Sequence, residues 1–327
     1  VSDLLISVII PTLDNPVETK KIISVLNQQT VLPKEIIICD SSTSDKVEET
    51  SKSINSKIQV VYVRAGRAFP FDRIIHKYKS LIHFGKDSTP ERIGRAFPYE
   101  ASNIGAIKAK YEWIAFIDTT TEPKKNWLEE YSKIIKTENI NVVFGNTKYL
   151  AQTSYQKLLR ASTYGRRGHE TAPGTLMRKE DFISSGKIIE GVRSGGDIEW
   201  RERVKLNFKC HTPKKVFLNY SPLPKNLAST GKKFFIYQLY GARLNIQNKV
   251  KDIYLGLLLI LSAIVIPQWN GIVGWEDSPL YWPYVTRIYA IGLIIIFLST
   301  LIINKGILRK APHSFFLNVF KTIIFIF

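Results

Sequence analysis

Cysteine is nearly absent from this 327-residue sequence, Cys39 and Cys210 being the only two. There is no CxxC and no His/Cys cluster, so zinc held at the usual ligand spacings is excluded, and two reduced core thiols in a cytosolic setting are expected. Acidic residues are also scarce: 28 Asp and Glu stand against 46 Lys and Arg, for a net charge of +18. Such an excess points to an anionic partner, whether a phosphate-bearing substrate, a nucleic acid or an acidic membrane face. Nucleic acid is set aside because no binding module is recognisable, and GKDS and TGKK lack the upstream glycine of a phosphate-binding loop. No basic leader precedes a cleavable apolar core. Val1 to Pro11 reads instead as a short strand, LISVII, and export by a signal peptide is not expected.

The apolar residues are concentrated near the other end. Ile253–Pro267 and Tyr284–Asn304 each approach the ~20 residues that a helix needs to cross a bilayer, giving expected spans near 253–269 and 284–304. The stretch between them, Gln268 to Pro283, has no Lys or Arg and carries Glu276, Asp277, Trp269, Trp275, Tyr281 and Trp282. The flanks KKFFIYQLYGARLNIQNKVK and NKGILRKAPH are basic, so the positive-inside rule puts both flanks and the N-terminal part in the cytoplasm. The competing reading is a pair of buried helices. Phe315 to Phe327, interrupted by Asn318 and Lys321, is expected to contribute an interfacial helix over 314–327. The expectation is a domain of residues 1–245, with halves 1–120 and 121–245, anchored by 246–327 to the plasma or inner membrane.

Up to about Leu150, strands and helices alternate: LISVII, a helix over Pro16–Gln29, EIIICD, a helix over Asp45–Ile54, IQVVYV, a helix opened by Asn103 and Gly105, WIAFID, a helix over Lys124–Thr137, and NVVFG. This predicts an α/β fold, a doubly wound and mostly parallel sheet that receives ligands at the carboxyl ends of its strands. The pentapeptide GRAFP occurs at Gly66–Pro70 and again at Gly94–Pro98, without wider repetition. Arg64, Arg67, Arg92 and Arg95 are either cations placed by the rim for a diphosphate or solvated loop residues.

Three carboxylates fall where such a rim is expected. Asp40 ends EIIICD, and with Ser41 and Ser42 it either accepts hydrogen bonds from a base or ribose or caps the next helix with Asp45. Asp118 ends WIAFID and is either a rim ligand or the head of the turn Thr119–Pro123. Asp197, in SGGDIEWRER, is a helix cap or a base, and Glu199 and Arg203 have the spacing of a surface pair.

Taken in order, SVIIPTLDN, EIIICDSSTSD, SNIGAIKAKYEWIAFIDTTTEP, GTLMRKEDFISSG and GGDIEWRERV resemble the inverting family 2 glycosyltransferases over about residues 5 to 245. The resemblance implies a GT-A fold, a Rossmann-like mixed sheet with helices on both faces, followed here by C-terminal transmembrane helices. It also implies donor contacts from Pro11, Thr12, Asp40, Asn103 and Asp118, to which the basic loop would add Arg95, with Asp197 as catalytic base. Arg166 and Arg167, in YGRRGHE, together with Glu199 and Arg203, become acceptor or lid residues. The partners it implies are a nucleotide sugar, with a UDP-sugar first, and a lipid-linked or glycan acceptor. Two positions depart from the family pattern: Thr120 stands where the DxD motif has its second carboxylate, and Gly196 where a glutamate precedes the base. Losing a carboxylate weakens a Mg²⁺ or Mn²⁺ site, leaving three readings: Asp118 holds the ion with donor phosphates, Glu122 substitutes, or basic loop residues replace the metal. No Gln-x-x-Arg-Trp pattern occurs, which favours single addition over polymerisation. The alternative to an enzyme is a catalytically degenerate nucleotide-sugar-binding or scaffolding protein of a membrane glycan assembly.

Overall fold

In a computed structural model, residues 4–66, 96–241, 244 and 246 are described. The chain divides into two compact units, one of residues 1–151 with 168–246 and one of 152–167 with 247–327. In the first, β1 (Ile6–Thr12), β2 (Glu35–Asp40), β3 (Gln59–Arg64) and β4 (Trp113–Phe116) pair in parallel, in the order β3-β2-β1-β4. Next comes β7 (His169–Arg178), antiparallel both to β4 and to β6 (Val142–Tyr149). Beyond β6 lie β9 (Leu218–Tyr220) and the edge strand β5 (Thr121–Pro123), while β8 (Cys210–His211) adds to β6. The α/β class is as expected, but the sheet is mixed: β7 is antiparallel to both neighbours and β5 to β9, while β8 and β9 pair with β6 in parallel.

The first strands are legible because the sheet is covered on both faces, which makes them continuous apolar runs rather than alternating ones. Ile6, Val8 and Ile10 of β1 and Ile36 and Ile38 of β2 face one core, shared with α1 (Pro16–Leu26), α2 (Lys46–Ser53) and α4 (Trp127–Glu138). Ile9, Ile37 and Cys39 face a second core, shared with α3 (Pro98–Lys108), α6 (Lys179–Ser184) and α7 (Gly196–Asn207). The helix α4 buries Trp127, Leu128, Tyr131 and Ile135 at helical spacing and ends where Asn139 turns left-handed at φ 49°.

The helix expected from Asn103 begins earlier, at Pro98. Proline suits a first helical turn, and the Glu100 carboxylate accepts the Phe97 N–H at 2.9 Å. Gly105 fixes how closely α3 lies on the sheet, because a Cβ there would stand 2.6 Å from both Cys39 Sγ and Ile9 Cγ2. Cys39 is a free, buried thiol whose pKa burial, with Asp40 beside it, pushes up to about 12; Cys210 is free and half-buried.

The described part of the second unit holds α5 (Ser154–Ser162), whose Gln156 N–H donates to Thr153 Oγ1 at 3.2 Å while its side chain accepts from Thr153 N. Among the described residues no helix is long and apolar enough to cross a membrane. The expected segments 253–269, 284–304 and 314–327 lie outside those residues, as do Arg67, Arg92 and Arg95.

Candidate active site

The parallel half of the sheet brings the carboxyl ends of β2, β1 and β4 to one rim. Thr12 is in register with Asp40, and Ile9 with Phe116, so Asp118, two residues beyond β4, lies at the same edge as Pro11. Asp40 is fully buried and well satisfied. Its Oδ1 accepts from Ser42 N at 2.9 Å and from Ser42 Oγ, and its Oδ2 from Tyr62 Oη at 2.8 Å and Arg64 Nη1 at 3.3 Å. It therefore does not cap α2. Arg64 also binds Asp45 at 2.7 Å and Glu48 at 3.0 Å, which makes it part of this cluster rather than a solvated loop residue. Ser41 Oγ, next to Asp40, is buried with no hydrogen-bond partner among the described residues. Thr12 reaches Thr19 at 3.2 Å between hydroxyls.

Asp118 heads a tight threonine turn in which Thr120 N and Oγ1 donate to its Oδ1 at 3.1 and 3.0 Å. Burial pushes its carboxyl above the usual range, and these hydrogen bonds offset part of that shift. Both readings of Asp118 thus meet at one residue: it heads a turn and it stands at the rim. As a cation site the donor set is poor. Glu122 is half exposed and paired with Lys21 at 2.6 Å, and no group of three or more His, Cys, Asp or Glu among the described residues could hold a metal ion. One carboxylate with an oxygen already engaged does not make a hard-cation site on its own.

The opposite wall is made by the start of α3, the loop 185–195 and α7. Asp197 lies in the first turn of α7, where Tyr99 Oη donates to its Oδ1 at 2.8 Å and Arg201 Nη2 stands 3.8 Å from its Oδ2. Burial first, and then the Asp197 charge, raises the Tyr99 pKa well above its ordinary value, so the phenol remains a proton donor to the carboxylate. The glycine at 196 has a steric reason: a Cβ there would meet the Tyr99 ring at 2.9 Å. Arg201 also binds Glu170 at 2.9 Å, and Glu170 is shared with Lys205 at 2.6 Å and Thr212 at 2.6 Å. Burial alone would raise the Glu170 pKa, but these partners outweigh it and hold the carboxyl below the usual range.

Two residues marked in the sequence hold the loop that leads to Asp197. Asn103 Nδ2 donates to Ile188 O at 2.7 Å and Glu190 Oε1 at 3.2 Å, while its Oδ1 accepts from Ile188 N at 3.1 Å. Arg203 forms a two-pronged pair with Glu199, both bonds 2.8 Å, and donates to the carbonyls of Ser185 and, at 2.9 Å, Lys187. The bonds of Asn103 position the loop, and those of Arg203 and Glu199 fasten α7 to it. Replacing Asn103 with Ala strands Ile188 N and O in a buried place and is expected to cost about 1–3 kcal/mol, seen as a lower urea midpoint for the first unit. Arg166 and Arg167 belong to the second unit, and Arg95 lies outside the described residues. His169 and Glu170, the end of YGRRGHE, are the first residues of β7. Tyr99 and Arg201 went unmarked in the sequence. The one local signal was the four-residue step from Asp197 to Arg201.

Comparison with known proteins adds names to this geometry. No family model matches the chain. It is similar to chondroitin synthase of Escherichia coli, 20% identical over 224 residues that cover 65% of this chain and 26% of that protein. It is also similar to glycosyltransferase AglE of Haloferax volcanii, 21% identical over 210 residues, 61% of this chain and 60% of that protein. The chain thus spans under two thirds of either relative's length. Among solved structures it aligns with S. aureus TarS 1–349 in complex with UDP-GlcNAc at a TM-score of 0.47 and 14% identity, covering 97% of this chain and 89% of that one.

Proposed function

We propose that the protein is an inverting glycosyltransferase of GT-A type that moves one sugar from a nucleotide-sugar donor, a UDP-sugar first, to a lipid-linked or glycan acceptor. The observation that carries this reading is the Tyr99–Asp197 contact, a held carboxylate in a fold whose parallel strands end in Thr12, Asp40 and, just beyond β4, Asp118. The matches to a synthase and a glycosyltransferase support it. The donor's nucleoside lies along Pro11, Thr12 and the Asp40 cluster, where Ser41 Oγ has no partner among the described residues. Asp197 Oδ2 takes the proton of an acceptor hydroxyl while that oxygen attacks the anomeric carbon. The bond from that carbon to the diphosphate oxygen breaks, its electron pair leaves with the nucleoside diphosphate, and the anomeric centre inverts. The apolar segments beyond residue 246 and their basic flanks support anchoring at a membrane, with the site on its cytoplasmic face.

The test is nucleoside diphosphate release from UDP-, GDP- and dTDP-sugars by the detergent-purified full chain with membrane lipid extract. Release from one donor is expected. Silence across the panel from a protein that still binds a donor would replace this reading with a binding or scaffolding role.

A further inference from the structure

Lys233 lies in α8 (Leu227–Gly241), within the basic run whose charge the sequence assigns to a membrane flank. In the structure its ammonium turns inward. Nζ donates to Tyr220 Oη at 3.2 Å and stands 5.0 Å from the Tyr220 ring centroid and 5.6 Å from that of Tyr237. Burial works against its charge, but the two phenols outweigh burial and hold its pKa above the usual value. No carboxylate among the described residues pairs with it, so a half-buried cation is held by neutral groups only. Buried charges are as a rule paired.

Its position joins the two walls of the site. Tyr220 is in register with Thr121, and Ser221 N donates to Thr120 O at 3.1 Å, in the same turn whose Thr120 hydroxyl binds Asp118. Farther along α8, Tyr240 stands edge-on to Phe97, just before α3, with ring centroids 5.9 Å apart, and Tyr99 of α3 holds Asp197. Ser194 Oγ donates to Ile236 O at 3.5 Å, fastening α8 to the loop before α7. Lys233 thus bonds a residue of the strand paired with the Asp118 turn, and its helix is bonded to the loop that leads to Asp197. Thr120 stands where a second carboxylate would, and among the described residues no group of three or more His, Cys, Asp or Glu could hold a divalent cation for a diphosphate placed there.

We propose that Lys233 is the fixed cation that binds the donor diphosphate and stabilises it as it leaves, in place of a second metal-ligating carboxylate. This rests on the glycosyltransferase reading. When the bond from the anomeric carbon to the β-phosphate oxygen breaks, the electron pair stays on that oxygen and the ammonium takes up the added charge by a hydrogen bond. No proton transfer from Lys233 is required.

The test measures binding of UDP, GDP and dTDP, and of uridine, guanosine and thymidine, to the full chain in detergent with EDTA present. In Lys233→Met, affinity for the preferred diphosphate is expected to fall about tenfold to hundredfold, the range for a lost charge-assisted hydrogen bond, with the matching nucleoside unaffected. Lys233→Arg, which keeps the charge, is expected to recover most of the loss and to show that the loss is not one of folding. Wild-type affinity in Lys233→Met would overturn the assignment. So would equal weakening of diphosphate and nucleoside, which would mark Lys233 as structural. A wild-type chain that binds none of the three diphosphates would overturn the glycosyltransferase reading itself, and this assignment with it.

Discussion

Asp197→Asn is expected to lower sugar transfer about 10²–10⁴-fold, the range for loss of a positioned general base, with donor affinity retained. Asparagine keeps the shape of aspartate, and its Oδ1 still accepts the Tyr99 hydroxyl that now holds Oδ1 of the carboxylate at 2.8 Å. What it loses is the second oxygen, the one 3.8 Å from Arg201, which has no other close donor among the described residues and is left to receive the acceptor's proton. Single-turnover transfer rates beside donor titrations separate the two effects. Unchanged transfer would remove Asp197 from the mechanism, and donor binding lost together with rate would make it a binding residue. Tyr99→Phe provides a graded comparison. It keeps the ring that lies against Gly196 and removes only the hydroxyl, so it is expected to fall between the wild type and the Asn variant.

How much of this was legible in the sequence depends on the distance over which each contact acts. Strands β1 and β2 were readable because both of their faces are buried, leaving unbroken runs such as EIIICD between turn residues. Their ends located the rim, and Asp40 and Asp118 stand at it. The Tyr99–Asp197 bond joins residues 98 apart, and no local pattern encodes it. Gly196 looked like a missing glutamate. In the fold it is the space that the Tyr99 ring fills, so a change that reads as degeneration in one dimension is a packing choice in three. Lys233 was absorbed into a basic run for the same reason: charge composition does not say which lysine turns inward. The early start of α3 was hidden because its buried face includes Ser102, Asn103 and Gly105, which weakens the apolar periodicity.

Trp200→Ala is expected to destabilise the first unit by about 3–5 kcal/mol, as for other large aromatic residues removed from a core. Trp200 is fully buried, with Phe116, Phe144 and Phe182 at centroid distances of 6.0, 6.2 and 5.8 Å. Its ring joins β4 and β6 of the sheet to α6 and α7, and its Nε1 donates to Ser185 Oγ at 3.2 Å. Because it lies one turn after Asp197, the cavity left by alanine loosens the stretch of α7 that carries the base. Its effect should therefore be seen in two readouts: a lower urea midpoint, and a transfer rate that falls even below the midpoint, where the protein is still folded. Trp200→Phe keeps most of the packing and loses the indole N–H. Ser185 Oγ retains its bond to Phe182 O at 2.7 Å, so the cost is expected to be smaller, about 1–2 kcal/mol. If Trp200→Ala lowered the midpoint and left the transfer rate of the folded protein intact, α7 would be held in place by the Arg203 and Asn103 bonds to the loop alone. The aromatic cluster would then serve stability without positioning the base.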